Sequence, residues 1–543
     1  MALPRSPLVL GLSVGLIASS LSATAAGAAS VAAASPADVP PIATPTSNPT
    51  PSSFNIDAPP SPDFIRRAPQ PRGELPLKRI VWKRCPDVRQ LQCGHMRVPK
   101  FWNKRQKGTK NTIVLSLRRL PTTAKAKRPT LFTNPGGPGA SGTEFLTNTF
   151  PAFTPLRSHY NIVAWDPRGV PTSKPLPRNC APLSIEAKPT VGPFTWRQAG
   201  NWRYRATAKQ VGSCFKANSS TKKWVSTNSV VRDLDAMRHA VGDKKLSYLG
   251  FSYGTRIGQT YLLTYPNRVR VMVQDGVMSP AATQDQLAQL QLRGATRGWR
   301  MLWRGLSPGI RSVYLKTQAY LQNNTIGSGA TRTTRWTFWT LAINSARAKQ
   351  TVADLPKNIC VLGAAAGISS SACDPYTSST VQQRNQTLRS IKRIATVPLA
   401  SPLLQLVNCT DSRKLISRKA AENWSIRTAK YGGSEPAANQ FAWTYVCAGL
   451  KKSSDPIPGL TKRTKIPQPP LIVNGVGDVA TPYGGAVQAH KLLPKSRLIT
   501  VDTTVHALSL LQGSRCVDKV VLRYLKTTKL PKRNVKCPAL PKT

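Results

Sequence analysis

Gly250-Phe251-Ser252-Tyr253-Gly254 sets a hydroxyl between two glycines, a spacing that lets a strand turn sharply into a helix with the serine at the tip of the turn. Such a serine attacks carbonyl carbon only if a base takes its proton and an acid orients the base. The chain contains five histidines. His95 lies in the N-terminal part, His159 precedes a strand-like run, and His239 sits on the helix-like segment before Ser252. Only His490 and His506 come late enough for the chain order serine, acid, histidine. His506 follows the strand-like SRLITV on a loop, whereas His490, the alternative, lies in the helix-like GGAVQAHKLL. Asp478 ends the buried-strand pattern PLIVNGVGD and is the expected acid, with a turn cap as its other reading. Asp502 is its rival, on the strand just before His506.

The oxyanion formed by such an attack needs backbone N–H donors. One expected donor follows the nucleophile, at Tyr253. The other belongs in the glycine-rich NPGGPGASG (Asn134–Gly142), at Gly136 or Gly137. A phosphate-binding reading of that loop is set aside, because neither the GKS/GKT ending nor the G-x-G-x-x-G spacing is present.

The elements that must carry these residues alternate in type. TIVLSLRRL, TLFTNPGGPG and YNIVAWDPRG each hold a β-rich run. Ser226–Gly242 has helical spacing, with Val230, Leu234, Met237 and Val241 on one stripe, Asn228 or Ser229 as the cap and Gly242 at the end. A strand-like LSYLGFS, a helix-like YGTRIGQTYLLTYP and a strand-like RVMVQDGV follow. Strands alternating with helices predict an α/β fold with a mostly parallel sheet covered on both faces. From about Ser279 to Lys465 the beat gives way to helix-like WRMLWRGL, RWTFWTLAINSARA and QFAWTYVCAGL, and it returns at PPLIVNGVGDVATP. The expected organisation is a signal peptide over 1–28, a Pro/Ala/Ser/Thr-rich tether or pro-segment over 29–75, sheet domain over 76–279, a helical cap over 280–465, and sheet domain again over 466–543.

Leu8–Leu21 is apolar but too short to span a bilayer, and small residues follow it, which predicts export. Ten cysteines in an exported chain predict disulfides, and neighbouring positions suggest Cys85–Cys93, Cys180–Cys214, Cys360–Cys373, Cys409–Cys447 and Cys516–Cys537. No CxxC pair or histidine cluster suggests a metal, and no cofactor is expected. The 77 Lys+Arg against 22 Asp+Glu give a net charge of +55. This favours anionic cell-surface polymers as nonspecific partners, while no specific nucleic-acid-binding signature accompanies it.

NPGGPGASG, WDPRG, DLDAMRHAVG, YLGFSYGT, VQDGV, NGVGDVATP and the Cys516/Cys537 region, in this order, resemble the secreted tripeptidyl aminopeptidase family of α/β-hydrolases, relatives of the prolyl iminopeptidases. The resemblance runs from about Cys85 to the C-terminus. It implies Ser252, Asp478 and His506 as the triad, Gly136 or Gly137 with Tyr253 at the oxyanion hole, and a helical cap over the site. It also implies peptide substrates with a free N-terminus; the export signal and the basic charge predict an extracellular or cell-wall location, and a monomer is expected. Two departures stand out: Val505 and Ala507 flank His506 where the family often has glycine, and Pro171 replaces a common glycine in DPRGVP. An aminopeptidase must also hold the substrate ammonium, and carboxylates suit that task. Glu144 and, in the cap, Asp411, Glu422 and Glu435 are the expected candidates. A carboxylesterase or lipase on the same triad is the alternative enzyme, and a non-catalytic cationic surface binder is the third reading.

Overall fold

The computed structural model describes residues 79–102, 111–170, 173, 190–280, 283–377, 380–396, 402–420, 423, 446–460 and 466–540. The expected signal peptide and tether therefore lie outside the described residues.

In chain order the first elements are β1 (Lys83–Arg84), β2 (Gln92–Pro99), β3 (Thr112–Leu120), β4 (Thr130–Asn134), α1 (Gly142–Thr149), β5 (Asn161–Trp165), α2 (Trp196–Ala217), α3 (Thr227–Ala240), β6 (Leu246–Phe251), α4 (Tyr253–Thr264) and β7 (Val269–Asp275). Helices follow: α5 (Gln284–Gly305), α6 (Pro308–Asn323), α7 (Arg335–Asn344), α8 (Lys349–Ala353), α9 (Leu355–Ala365), α10 (Asp374–Thr377), α11 (Val381–Thr396) and α12 (Pro402–Asp411). The sheet resumes with β8 (Leu471–Gly475), α13 (Tyr483–Leu492), β9 (Arg497–Val501), α14 (Arg515–Thr527) and β10 (Val535–Cys537).

The strands form one sheet in the order β1-β2-β3-β5-β4-β6-β7-β8-β9-β10. Pairing is antiparallel from β1 through β3 to β5 and parallel from there to β10. Alternate residues of the central strands feed opposite faces, as the two-residue period of a strand requires. Leu246, Tyr248 and Met272 join Val230, Leu234, Met237 and Ile257 on one face. Leu249, Phe251, Val271 and Val273 join Phe145, Leu146, Val517 and Val521 on the other. This is the mostly parallel sheet covered on both faces that the alternation of elements predicts, in the α/β-hydrolase architecture that the resemblance implies.

The helices between β7 and β8 build a separate core around Trp299, Tyr314, Trp336, Phe338 and Trp339. Tyr314 stacks on Phe338 with ring centroids 4.7 Å apart. Ala199 of α2 is buried in the same cluster, so the helical layer also recruits a helix from before β6. Two local expectations change. The cap of α3 is Ser226, whose hydroxyl accepts the Ser229 N–H, rather than Asn228 or Ser229. Val446–Leu450, the described part of QFAWTYVCAGL, forms turns rather than helix.

Cys85–Cys93, Cys360–Cys373, Cys409–Cys447 and Cys516–Cys537 are disulfide-bonded, as their spacing suggested. Cys214 is disulfide-bonded as well, and Cys180 lies outside the described residues. Among the described residues, no helix is long and apolar enough to cross a membrane.

Candidate active site

Strand β6 delivers Ser252 at φ 55° and ψ −123°, a backbone region that a residue with a Cβ rarely adopts. Strain of this kind persists only where the surroundings impose it, and it lifts the side chain clear of the turn. The flanking glycines are sterically required. A Cβ on Gly250 would lie 2.6 Å from Gly254 O, and one on Gly254 would lie 2.6 Å from Asn134 O. The Ser252 N–H donates to Asp275 O at 2.9 Å, which ties the turn to the end of β7.

The loop after β4 lies directly against this turn. A Cβ on Gly136 would come 2.8 Å from Tyr253 N. The Gly136 N–H is already given to Asn134 Oδ1 at 3.0 Å. Gly137 N–H and Tyr253 N–H have no acceptor among the described residues, so Gly137 is the better placed of the two loop glycines to serve an oxyanion. Asp166 of the WDPRG motif anchors the far end of the loop. It accepts from Ser141 Oγ at 2.7 Å, Thr143 N at 2.9 Å and Thr143 Oγ1 at 2.9 Å, at the start of α1. Arg168 of the same motif forms a fully buried two-pronged ion pair with Asp233 of α3, at 2.6 and 2.7 Å.

On the other flank, Asp478 follows β8 and His506 follows β9. Asp478 is 1% exposed and spends its carboxylate completely. Oδ1 accepts from Ala480 N at 2.8 Å and Thr481 N at 2.9 Å. Oδ2 accepts from Thr481 Oγ1 at 2.9 Å and from His506 Nδ1 at 2.7 Å. Asp478 thus caps its own turn and holds the imidazole in the tautomer that leaves Nε2 free to accept a proton. The ring packs on the β7 turn, where a Cβ at Gly276 would meet its Cε1 at 2.7 Å. Ser252 and His506 therefore meet the same two-residue segment, Asp275-Gly276. Among the described residues, Ser252 Oγ makes no hydrogen bond to the imidazole in this structure. His490 instead pairs with Ser496 Oγ at 2.7 Å, and Asp502 is exposed.

Residues 129–341 match the alpha/beta hydrolase fold family, and residues 434–537 match the TAP-like proteins. The tripeptidyl aminopeptidase of Streptomyces lividans is 28% identical over 496 residues, covering 84% of this chain and 86% of that protein. The chain thus carries an alpha/beta hydrolase fold segment and a TAP-like segment, and it is similar along most of its length to a tripeptidyl aminopeptidase. Serine protease Hip1 of Mycobacterium tuberculosis (strain ATCC 25618 / H37Rv) is 28% identical over 490 residues, covering 82% of this hydrolase and 87% of that protein. Carboxylesterase B of Mycobacterium tuberculosis (strain CDC 1551 / Oshkosh) is 24% identical over 516 residues, covering 86% and 92%. The hydrolase is thus a serine peptidase or hydrolase of the α/β type.

Several residues of this hydrolase escaped the sequence reading. Thr481 braces both Asp478 and His506, its hydroxyl lying 3.1 Å from His506 Nδ1. Asp275 is fully buried, and its Oδ2 accepts from Leu508 N at 2.9 Å and from Ser509 N, fastening the histidine loop to β7. Burial pushes its carboxyl up to about 6. Ala507 takes φ 60°, a conformation that favours glycine. Pro171 lies outside the described residues.

The amine-binding candidates part company. Glu144 is exposed in the first turn of α1, just after the glycine loop. Glu422 and Glu435 lie outside the described residues. Asp411 is 1% exposed and accepts from Thr227 N at 2.9 Å and Thr227 Oγ1 at 2.6 Å, so it is not presented to an incoming ammonium. Thr227 Oγ1 in turn meets Tyr253 OH at 2.5 Å, which makes Asp411 a brace behind the residue next to Ser252.

Burial pushes the Asp411 carboxyl up to about 7 against the pull of Arg256. Between the ordinary carboxylate range and that value the folded state binds more protons than the unfolded chain, so this group's contribution to stability falls as pH rises. Asp411→Asn is expected to flatten the loss of melting temperature between about pH 4 and pH 7 relative to wild type. Identical slopes in the two proteins would contradict this.

Proposed function

We propose that this chain is an exported serine exopeptidase that releases short peptides, tripeptides first among them, from free N-termini through an acyl-enzyme. The observation that carries the reading is the imidazole of His506 held by Asp478 next to the Ser252 turn, in a chain related along most of its length to a tripeptidyl aminopeptidase.

In this reading Ser252 Oγ attacks the scissile carbonyl as His506 Nε2 takes its proton. The hydrogen bond between them forms as substrate seats, since such contacts tighten in the reactive complex. The oxyanion is met by the Gly137 and Tyr253 N–H groups. His506 then returns the proton to the leaving amine, and water cleaves the acyl-enzyme by the same steps in reverse.

Glu144 is the carboxylate we assign to the substrate ammonium, because it is exposed and adjoins the oxyanion loop. Glu144→Gln is expected to lower kcat/KM on free-amine peptides by about tenfold and to spare N-acetylated analogues. Equal losses on both would remove the assignment. The four described disulfides support an extracellular site of action, and the +55 charge supports loose, salt-sensitive attachment of the monomer to anionic cell-surface polymers.

The relation to a carboxylesterase favours acyl esters as a second reading. Assays of the purified protein on tripeptide amides, N-acetylated tripeptide amides and short-chain acyl esters separate the two. Peptidase action requires higher kcat/KM on the free-amine tripeptide amide than on its blocked form. Turnover confined to the esters would establish the esterase instead.

A further inference from the structure

Beside the acid–base half of the site lies a cation with no acceptor among the described residues. Arg347 ends the turn Ser345–Arg347 between α7 and α8, in the helical layer. Its carbonyl accepts the His506 N–H at 2.8 Å, so this residue sits directly on the histidine loop. Its side chain forms no hydrogen bond or ion pair with any described residue, and its Nε is shut away from solvent. The residue as a whole is only half-buried, and its terminal nitrogens are not enclosed as Nε is.

Asp478 is the acid whose field reaches this guanidinium. It cannot complete an ion pair, however. A carboxylate has about four acceptor positions. Those of Asp478 are taken by Ala480 N, Thr481 N, Thr481 Oγ1 and His506 Nδ1. An Nε shut away from water without a partner is costly, and burial draws the Arg347 pKa down to about 10. An incoming anion would relieve that cost.

The sheet order fixes which part of a substrate could supply the anion. The oxyanion loop follows β4 on one side of β6, whereas Asp478 and His506 follow β8 and β9 on the other. Arg347 is attached to the second flank. The leaving amine must depart on this flank, because His506 protonates it.

We propose that Arg347 receives a carboxylate carried by the leaving segment of the substrate, and so selects peptides with an anionic group close behind the scissile bond. The inference rests on the exopeptidase reading and deepens it. Two sources share this chemistry: the terminal carboxylate when a single residue follows the bond, and an Asp or Glu side chain at the first position of a longer leaving segment. Arg347 acts here in specificity and not in the chemical step.

The test compares tetra-alanine with its C-terminal amide, and a pentapeptide amide carrying Asp at the fourth position with its Asn counterpart. Wild type is expected to favour the anionic member of at least one pair by about tenfold in kcat/KM, mainly through KM, and the favoured pair identifies the source. Arg347→Gln should bring that ratio close to one, and Arg347→Lys should keep part of it, since it retains the charge but not the planar fork. Because each readout is a ratio within one protein, a general loss of activity does not mimic the effect. Absence of any preference in wild type, or an unchanged ratio in Arg347→Gln, would overturn the inference while leaving the exopeptidase reading intact. Cleavage of neither member of either pair by wild type would overturn both.

Discussion

Asp478→Asn is expected to lower kcat by about 10⁴-fold, the scale of loss when the orienting acid of a Ser-His-Asp triad becomes an amide. The size follows from hydrogen-bond polarity rather than from packing. Oδ1 of Asp478 already accepts two backbone N–H groups, from Ala480 and Thr481. An asparagine therefore keeps its oxygen there and turns its NH₂ to the Oδ2 position, facing His506 Nδ1. That nitrogen must then accept, which puts the imidazole proton on Nε2, where it blocks transfer from Ser252. Side-chain volume hardly changes, so the melting temperature should stay within a few degrees of wild type, on the order of 1 kcal/mol. Steady-state kinetics with a saturating tripeptide amide and a thermal melt check both halves. A loss of less than about tenfold would show that another group orients the histidine.

Gly136→Ala has the next largest expected effect, a loss on the order of 10²–10³ in kcat. Gly136 sits at φ 99°, and an added Cβ would lie 2.6 Å from Phe251 O and 2.8 Å from Tyr253 N. Those neighbours are backbone atoms of the Ser252 turn, so the loop must retreat and take the Gly137 N–H with it. The oxyanion would lose one donor while Ser252 kept its base. A control separates crowding from backbone strain. Gly367 also has a positive φ, 73°, but nothing lies within 4 Å of its Cβ position. Gly367→Ala should therefore cost on the order of 1 kcal/mol of stability and leave kcat unchanged. Equal kinetic effects of the two substitutions would remove the steric account.

Much of this architecture was legible because it is local in sequence. Strand-like LSYLGFS running into a helix predicts a sharp turn at Ser252 without any distant contact. PLIVNGVGD and SRLITV end as strands must before loops, which brings Asp478 and His506 forward as partners. The disulfides pair near neighbours along the chain. What escaped depends on contacts across the fold. Asp411 stood out in the sequence as a rare acid in a basic cap, yet α12 carries it inward to the N-terminus of α3. There the Thr227 N–H and hydroxyl outbid a substrate ammonium. Arg347 is one arginine among many until its carbonyl is seen on His506 N. Thr481 and Asp275 likewise gain meaning only when β7, β8 and β9 lie side by side. Val446–Gly449 follows a helix-like pattern and still forms turns, where the Cys409–Cys447 link fixes this segment to α12.

The central claim is that Ser252 is the nucleophile, activated by His506. Its most direct test is intact-mass and peptide-level analysis of the folded protein after reaction with a fluorophosphonate. The account predicts a single adduct on the peptide containing Ser252, absent from Ser252→Ala and formed far more slowly by His506→Ala. No adduct, or an adduct on another residue that persists in Ser252→Ala, would contradict it.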